Sequence, residues 1–321
     1  MKRLIFLPVI IFMLVISSTA HAEKYGTYVK VAENIQGTFD NTVKSSEEAL
    51  TKNGWQILAS YSSSVPEACT FRAHNIVIYS PEYARQIMSH GPRSSFAAVL
   101  RVGIYEDGKG INIAFTNPAS LNRTVLGDKV ETELSVNTMN KISEILSSAV
   151  KGTVVNMQIG EIREKGRVGG MGGGDFNDMI EEIYKKEDSG DLFSEIAEKV
   201  KAGIESNKKN WKLIYTLDLP GSDTIIYGVN KAETEARAYT IAGEKRESKN
   251  YRCPGIDHVP AFPIEVVVYR EKGMVKVVTL DEMYRMKLYF EDAGMWAFMK
   301  NMAMPGAIQR EITEISTSGL K

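Results

Sequence analysis

The segment Cys253–His258, with the sequence CPGIDH, places a thiol, a carboxylate and an imidazole close together along the chain. A nucleophilic cysteine needs a base aimed at its sulfur. Proline and glycine make this segment a turn, and neighbouring side chains in a turn point in different directions. The rest of the sequence has no Gly-x-Ser-x-Gly, HExxH or paired-carboxylate pattern. We therefore expect a non-catalytic protein, with catalysis by Cys253 and His258 as the weaker alternative.

A second kind of chemistry is metal binding. His90 and His258 precede corresponding hairpins in the two halves of the chain, and Met295, Met299 and Met302 are spaced i, i+4, i+7. Imidazole is the commonest metal ligand and thioethers suit Cu(I), so copper or haem handling is an alternative function. Single loop histidines are usually solvated, however, and this methionine spacing is that of a helix face turned to a core. The first expectation is therefore no cofactor.

The chain has two cysteines, Cys69 and Cys253. In an exported protein they meet an oxidising compartment, where a disulfide is possible. They fall in different halves of the chain, so a disulfide between them would link the two halves covalently. Two separate buried thiols are the other possibility, and the sequence does not decide between them because pairing depends on a distance in space.

The elements that position these residues occur in the same order in both halves. Each half is predicted to open with a strand, at 25–35 and 154–162. A helix, two strands, a second helix, a hairpin with a charged glycine turn and a final helix follow. The glycine-rich segment 166–175 between the halves lacks the Lys-Ser/Thr of a phosphate-binding loop. We expect the charged stretch after it to be helical up to Gly190.

This order divides the chain into a leader at 1–22, a first unit at 23–152 and a second unit. The second unit would take its first strand and a glycine-rich insertion from 153–190 and its remainder from 191–321. Large aromatic residues recur at matching positions of the two units. They are Trp55, Tyr79, Tyr105, Trp211, Tyr227 and Tyr269. We expect them in the cores or in the walls of a ligand cleft between the units.

Several segments of the first unit resemble the DUF302 family, a domain of unknown function with a TBP-like α+β fold. These segments are Tyr28–Val31, Ala49–Trp55, Ile76–Tyr79 with the following Ser80-Pro81, and the hairpin ending at Asn117-Pro118. The likeness covers about 25–150 well and 153–312 more loosely, with an insertion between Val229 and Phe262. It implies two TBP-like units, each an antiparallel sheet with helices on one face, arranged as an internal pseudo-dimer.

The chain departs from that family at two places. Many members carry a cysteine just before the proline of the second helix and another at the start of the hairpin. Here those places hold Ser80 and the region of Ala98 and Ile264. Thiol or metal chemistry tied to the family cysteines is therefore not expected in this chain.

The first residues carry the pattern of a secretory signal peptide. Lys2 and Arg3 precede a short apolar run that contains Pro8, and small residues lead to Ala22. The run is too short for a transmembrane anchor. We therefore expect cleavage after Ala22, a periplasmic location and no membrane span in the mature chain. A net charge of −1 argues against nucleic acid as a partner.

These observations favour a periplasmic binding protein. Its ligand would be a small apolar or amphipathic molecule, or a protein partner, held in a groove where the two units meet. The chain would be a monomer with an internal pseudo-dimer, or a homodimer. A structural role in a larger envelope assembly is a further possibility.

Overall fold

The computed structural model describes residues 23–127, 132–190, 192–241 and 253–320. The predicted signal peptide lies outside the described residues. Within them, the chain forms two antiparallel sheets with packed helices, which confirms the predicted α+β class. In the described part of the chain no helix combines the length and the apolar character needed to cross a bilayer.

The first sheet has the strand order β2-β3-β4-β5-β1-β6. Its strands are β1 (Tyr25–Ile35), β2 (Gln56–Ser62), β3 (Ala73–Tyr79), β4 (Val99–Asp107), β5 (Gly110–Thr116) and β6 (Thr153–Arg163). The helices of this unit are α1 (Phe39–Lys52), α2 (Pro81–Met88), α3 (Pro118–Leu126) and α4 (Thr132–Ala149). Ser80 and Asn117 cap α2 and α3, each followed by a proline at the first helical position, so the sequence itself fixes where these helices begin.

The second sheet has the strand order β7-β11-β10-β9-β8. Its strands are β7 (Ile180–Glu187), β8 (Lys212–Leu219), β9 (Thr224–Asn230), β10 (Ile264–Glu271) and β11 (Met274–Leu280). The helices are α5 (Leu192–Glu205), α6 (Ala232–Ala238), α7 (Glu282–Phe290), α8 (Gly294–Asn301) and α9 (Ala303–Thr317). Read from β8 to β7, the order matches that of β2 to β1, so the two units share one topology.

The strand predicted near 154–162 forms, but its assignment to the second unit is wrong, and so is the helix predicted before Gly190. The strand near 154–162 does not open the second unit, because β6 pairs with β1, for example Tyr28 with Ile159, and forms the edge of the first sheet. The charged stretch before Gly190 is a strand, β7, which pairs with β11. Its charges are compatible with a half-solvated strand because Glu182 forms a 2.8 Å ion pair with Lys276 on the neighbouring strand.

The two units pack against each other through short 3-10 helices. The one at Ile256–Ala261 contacts β3, β4 and β5 of the first unit, and the one at Pro92–Ala97 contacts β9 and β10 of the second. A Cβ on Gly103 of β4 would lie 2.9 Å from side-chain atoms of Val259 and Pro260, so only glycine lets these surfaces come so close. The units therefore form one body.

A buried ion pair crosses this seam between the units. The guanidinium of Arg101 on β4 bonds the carboxylate of Glu265 on β10 and donates to the hydroxyl of Tyr289. Arg101 is fully buried and Glu265 is 6% exposed. Because these two residues occupy corresponding positions of the two hairpins, their contact lies where a pseudo-twofold relation between the units would place it.

Candidate functional site

The six aromatic candidates for a ligand cleft are buried. Their exposed fractions are at most 5%, and five of them belong to the main apolar core. Tyr105 instead packs in a smaller cluster around the cysteines. The ring of Trp55 packs at a tilt against that of Tyr83, with centroids 6.1 Å apart, and the hydroxyl of Tyr227 donates to the Ala197 carbonyl. Of the two expected roles, core or cleft wall, the core role is thus confirmed for most of them, because they pack between the sheets and helices rather than around an opening.

The two histidines of the metal alternative lie in different surroundings. His258 is fully buried, with Nε2 2.8 Å from Asp292 Oδ1 and its ring 4.9 Å from that of Phe290. His90 is exposed beside Gly91, where the chain leaves α2. Across the described ranges, no group of three His, Cys, Asp or Glu is arranged to hold a metal ion. The shared His90–His258 site is not formed, because one residue packs at the seam and the other lies on a surface turn.

The methionines of α8 do not face a core. Met295, Met299 and Met302 are 61%, 50% and 41% exposed, and Trp296 beside them is 81% exposed. The helix that this spacing predicts is confirmed, but the face that carries the methionines is exposed to solvent instead of packing on a core.

Cys69 and Cys253 form a disulfide with a Cα–Cα distance of 5.8 Å. The bond joins the two units across 184 residues of chain. Because both sulfurs are bonded to each other, Cys253 is not a thiol nucleophile. The structure thus contradicts the alternative of catalysis by Cys253 and His258.

The site with the clearest capacity to bind a molecule lies in the second unit. An apolar pocket of about 180 Å³, here called the outer pocket, opens between α7, α8 and the glycine-rich segment. Its walls are mostly apolar. They include Met171, Ile241, Met286, Phe290, Met295, Ala297 and Phe298. Lys287 and Glu291 also line it and form a 2.8 Å ion pair.

A smaller cavity of about 20 Å³, here called the inner pocket, adjoins the outer pocket. The two share Ile241, Met286 and Phe290 as lining residues. Residues of α6 and α9 complete the apolar part of the inner pocket. They are Thr234, Ala238, Met304, Pro305 and Ile308, with Phe262 from the approach to β10.

Two charged side chains of α7, Glu282 and Arg285, also line the inner pocket. Each is 3% exposed. Among the described residues, Glu282 Oε1 and Arg285 Nε have no hydrogen-bond partner, while Arg285 Nη2 donates to the Ala261 carbonyl. Burial raises the pKa of Glu282 to about 7, and the nearby charge of Arg285 opposes that rise. Both residues are held in place because Asp281 caps α7.

These pockets were missed by the sequence reasoning. Their walls come from α6, α7, α8, α9 and a glycine-rich segment more than a hundred residues before α8. Glu282 lies in the first turn of a helix, a position where acidic residues are common and usually solvated. A weak signal was available in the crowding of methionines at 283–304, since methionine is common on adaptable binding surfaces.

The arrangement combines an apolar outer pocket, the Lys287–Glu291 ion pair in its wall and, beside the inner pocket, the buried side chains of Glu282 and Arg285. A buried carboxyl with a strongly raised pKa inside a cleft is characteristic of functional sites. The outer pocket can therefore hold the apolar body of a small molecule.

Comparisons with known proteins concern mainly the first unit. Residues 31–149 match a family described as domain of unknown function DUF302. A crystal structure of an uncharacterized conserved DUF302 protein from Bacillus stearothermophilus matches with 14% identity and a TM-score of 0.33. That match covers 40% of this chain and 98% of the other. No curated protein matches the chain. Both pockets lie outside the matched residues 31–149.

Proposed function

We propose, from the geometry of the second unit, that this chain is a non-catalytic binding protein; the match of residues 31–149 to the DUF302 family brings no assigned activity. Its ligand would be a small apolar or amphipathic molecule. The observation that carries the proposal is the outer pocket, an apolar recess of about 180 Å³ with an adjoining inner pocket. A largely apolar pocket with a few convergent polar groups is the usual form of a small-molecule site.

The volume of the outer pocket sets the size of the ligand. An apolar cavity of about 150 Å³ holds one benzene ring. The outer pocket therefore takes one six-membered ring or a short hydrocarbon chain. A larger amphipathic molecule would place only its apolar end there and leave its polar part beside the Lys287–Glu291 ion pair in the pocket wall.

The methionines in the walls suit a ligand of variable shape. Met286 is half-buried and Met171 and Met295 are exposed, so their unbranched side chains can move to fit a guest. Burying exposed apolar side chains against a guest is favourable because it removes apolar surface from water. A periplasmic location fits the predicted signal peptide, and the Cys69–Cys253 disulfide fits an oxidising compartment.

The copper alternative retains one supporting observation. The thioethers of Met295, Met299 and Met302 are exposed and lie close together along α8 and its end, where they are accessible to a soft cation. A Cu(I) titration followed by competition with a chelator tests it. Stoichiometric binding lost in the triple Met→Leu variant would support this second function, and binding unchanged in that variant would remove it.

Methionine-methyl NMR tests the proposed function on the mature chain. The protein is labelled at its methionine methyl carbons and titrated with p-xylene. We expect the methyl resonances of Met171, Met286 and Met295 to shift. Met88 and Met157 lie outside the outer pocket and should not respond. Ala297 lines the pocket, so Ala297→Phe should fill it and abolish the shifts. The matched control is Ala303→Phe, since Ala303 is exposed and outside the pocket. Absence of shifts at the pocket methionines, or equal shifts in both variants, contradicts the proposal.

A further inference from the structure

Exposed large apolar side chains lie in two places in the described part of the chain, on the edge strand β6 and around α8. The group around α8 is the larger, and its Trp296 is 81% exposed. We call this group the apolar patch. It consists of Met171, Met295, Trp296, Met299 and Met302. An exposed patch of this kind marks a surface that meets another protein or a membrane.

The basic residues beside the apolar patch give it a positive charge. Residues 293–310 contain Lys300 and Arg310 but no Asp or Glu. Lys300 follows Trp296 by four residues, so the two lie on the same side of α8. Arg310 reaches back along α9, where its Nη1 lies 3.6 Å from the position of a Cβ on Gly306. Both basic residues are exposed.

The acidic residues that precede α8 are engaged elsewhere. Glu291 Oε1 lies 2.8 Å from Lys287 Nζ, and Asp292 Oδ1 lies 2.8 Å from His258 Nε2. Their charges are thus partly offset by their own partners. The surface around α8 therefore combines apolar side chains with positive charge, and its partner should be apolar and negatively charged.

A second copy of this chain does not have that chemistry. A two-fold contact brings the same surface of both copies together, so the positive charges of the two patches would repel each other. A stable protein interface also takes about 20–30 residues from each side. The apolar patch offers five large side chains, which is few for such an interface.

The surface of an anionic bilayer has both features. Tryptophan is enriched at the membrane–water interface because its ring is apolar and its N–H is polar. Lys and Arg beside such a face are attracted to negatively charged headgroups, each by about fivefold in affinity. With 8 residues, α8 can lie on a bilayer but is far too short to cross one.

We infer that the apolar patch docks this protein on the surface of an anionic phospholipid bilayer. Trp296 and Met299 enter the boundary between headgroups and acyl chains, and Lys300 and Arg310 lie against the headgroup phosphates. The outer pocket adjoins the docking surface, because Met171 and Met295 also belong to its wall. The inference goes beyond the proposed function and does not require a ligand in the pocket.

Tryptophan fluorescence of the mature chain tests the inference. Trp55 and Trp211 are each 4% exposed, so a change in emission on adding vesicles reports on Trp296. The probe is a vesicle of phosphatidylglycerol and phosphatidylcholine in equal amounts, compared with one of phosphatidylcholine alone. We expect a blue shift, quenching by bromine on the lipid chains, and an affinity at least about tenfold higher for the anionic vesicle.

Co-sedimentation with the anionic vesicle measures the variants. Met299→Ser should weaken binding by about fivefold, since roughly half of a methionine side chain is no longer transferred from water. Met157→Ser is the matched control, because Met157 is 48% exposed on β6, and it should leave the affinity unchanged. Lys300→Glu should weaken binding by at least about tenfold. Lys141→Glu changes the net charge equally at an exposed position of α4 and should not.

Three results would overturn the inference. They are no binding to the anionic vesicle, equal binding to both vesicles, and equal losses in Met299→Ser and Met157→Ser. A blue shift that follows protein concentration without vesicles would also overturn it, because a second copy would then cover Trp296. The p-xylene titration needs no vesicles, so it tests the proposed function separately. Pocket shifts without vesicle binding remove only the docking surface, and vesicle binding without pocket shifts removes only the proposed function.

Discussion

Replacing Glu282 with glutamine is expected to remove a pH dependence from the stability of the protein. Burial raises the pKa of this carboxyl from its ordinary 4.5 to about 7 in the folded chain. A group whose pKa is raised by folding contributes fully to stability below its unfolded pKa, and this contribution is lost as the pH rises through the folded pKa. Multiplying the difference by about 1.4 kcal/mol per pH unit gives a loss of about 3 kcal/mol.

Urea unfolding of wild type and Glu282→Gln measures this loss, with the disulfide kept intact. Taking the difference between the two chains at each pH cancels the titration of groups they share. Arg285, Glu265 and Asp281 are the charged groups that act on Glu282, and they remain in both. The free energy of unfolding of wild type relative to the variant should fall by about 3 kcal/mol between about pH 4.5 and about pH 8.

An exposed glutamate gives a control with the opposite sign. The hydrogen bond from Lys199 lowers the pKa of Glu195, so its contribution is present above its ordinary pKa and fades as the pH falls. The difference between wild type and Glu195→Gln should therefore change in the other direction and much less. A wild-type to Glu282→Gln difference that stays constant across the pH range would refute the burial of this carboxyl.

Three further predictions concern the seam between the units. Arg101→Met should lower the free energy of urea unfolding by about 3–5 kcal/mol because it leaves the buried carboxylate of Glu265 without its partner. The double variant Arg101→Met with Glu265→Leu should recover most of that loss. Replacing both Cys69 and Cys253 with serine should cost about 2–5 kcal/mol, read from the same assay. Gly103→Ala should lower the melting temperature, since its Cβ would lie 2.9 Å from the ring of Pro260; an unchanged melting temperature would mean that the seam is looser than described.

Much of the fold could be predicted because the signals are local. Two apolar, β-branched runs separated by a charged glycine turn identify the hairpin of β10 and β11, and a proline after a capping residue identifies the start of α2. The α5 stripe from Leu192 to Ile204 is buried as its spacing indicates. Such features depend on neighbours a few residues apart, which the sequence displays directly.

The errors fall where pairing is long-range. β6 has the residues of a strand, but nothing in its own sequence says that it joins β1 rather than the second unit. β7 has the charge density of a solvated helix and becomes a strand because β11 offers an open edge. The exposure of Met295 and the burial of Glu282 likewise depend on which neighbours are absent or present in space. Periodicity alone carries no such information.

The central claim is that the second unit binds an apolar molecule between α7 and α8, and a crystal structure of the mature chain soaked with 4-iodophenol tests it most directly. Anomalous scattering locates the iodine without bias from the protein coordinates. We expect an iodine peak in the outer pocket near Met295. An iodine peak at another site, with the outer pocket empty at saturating ligand, would contradict the claim.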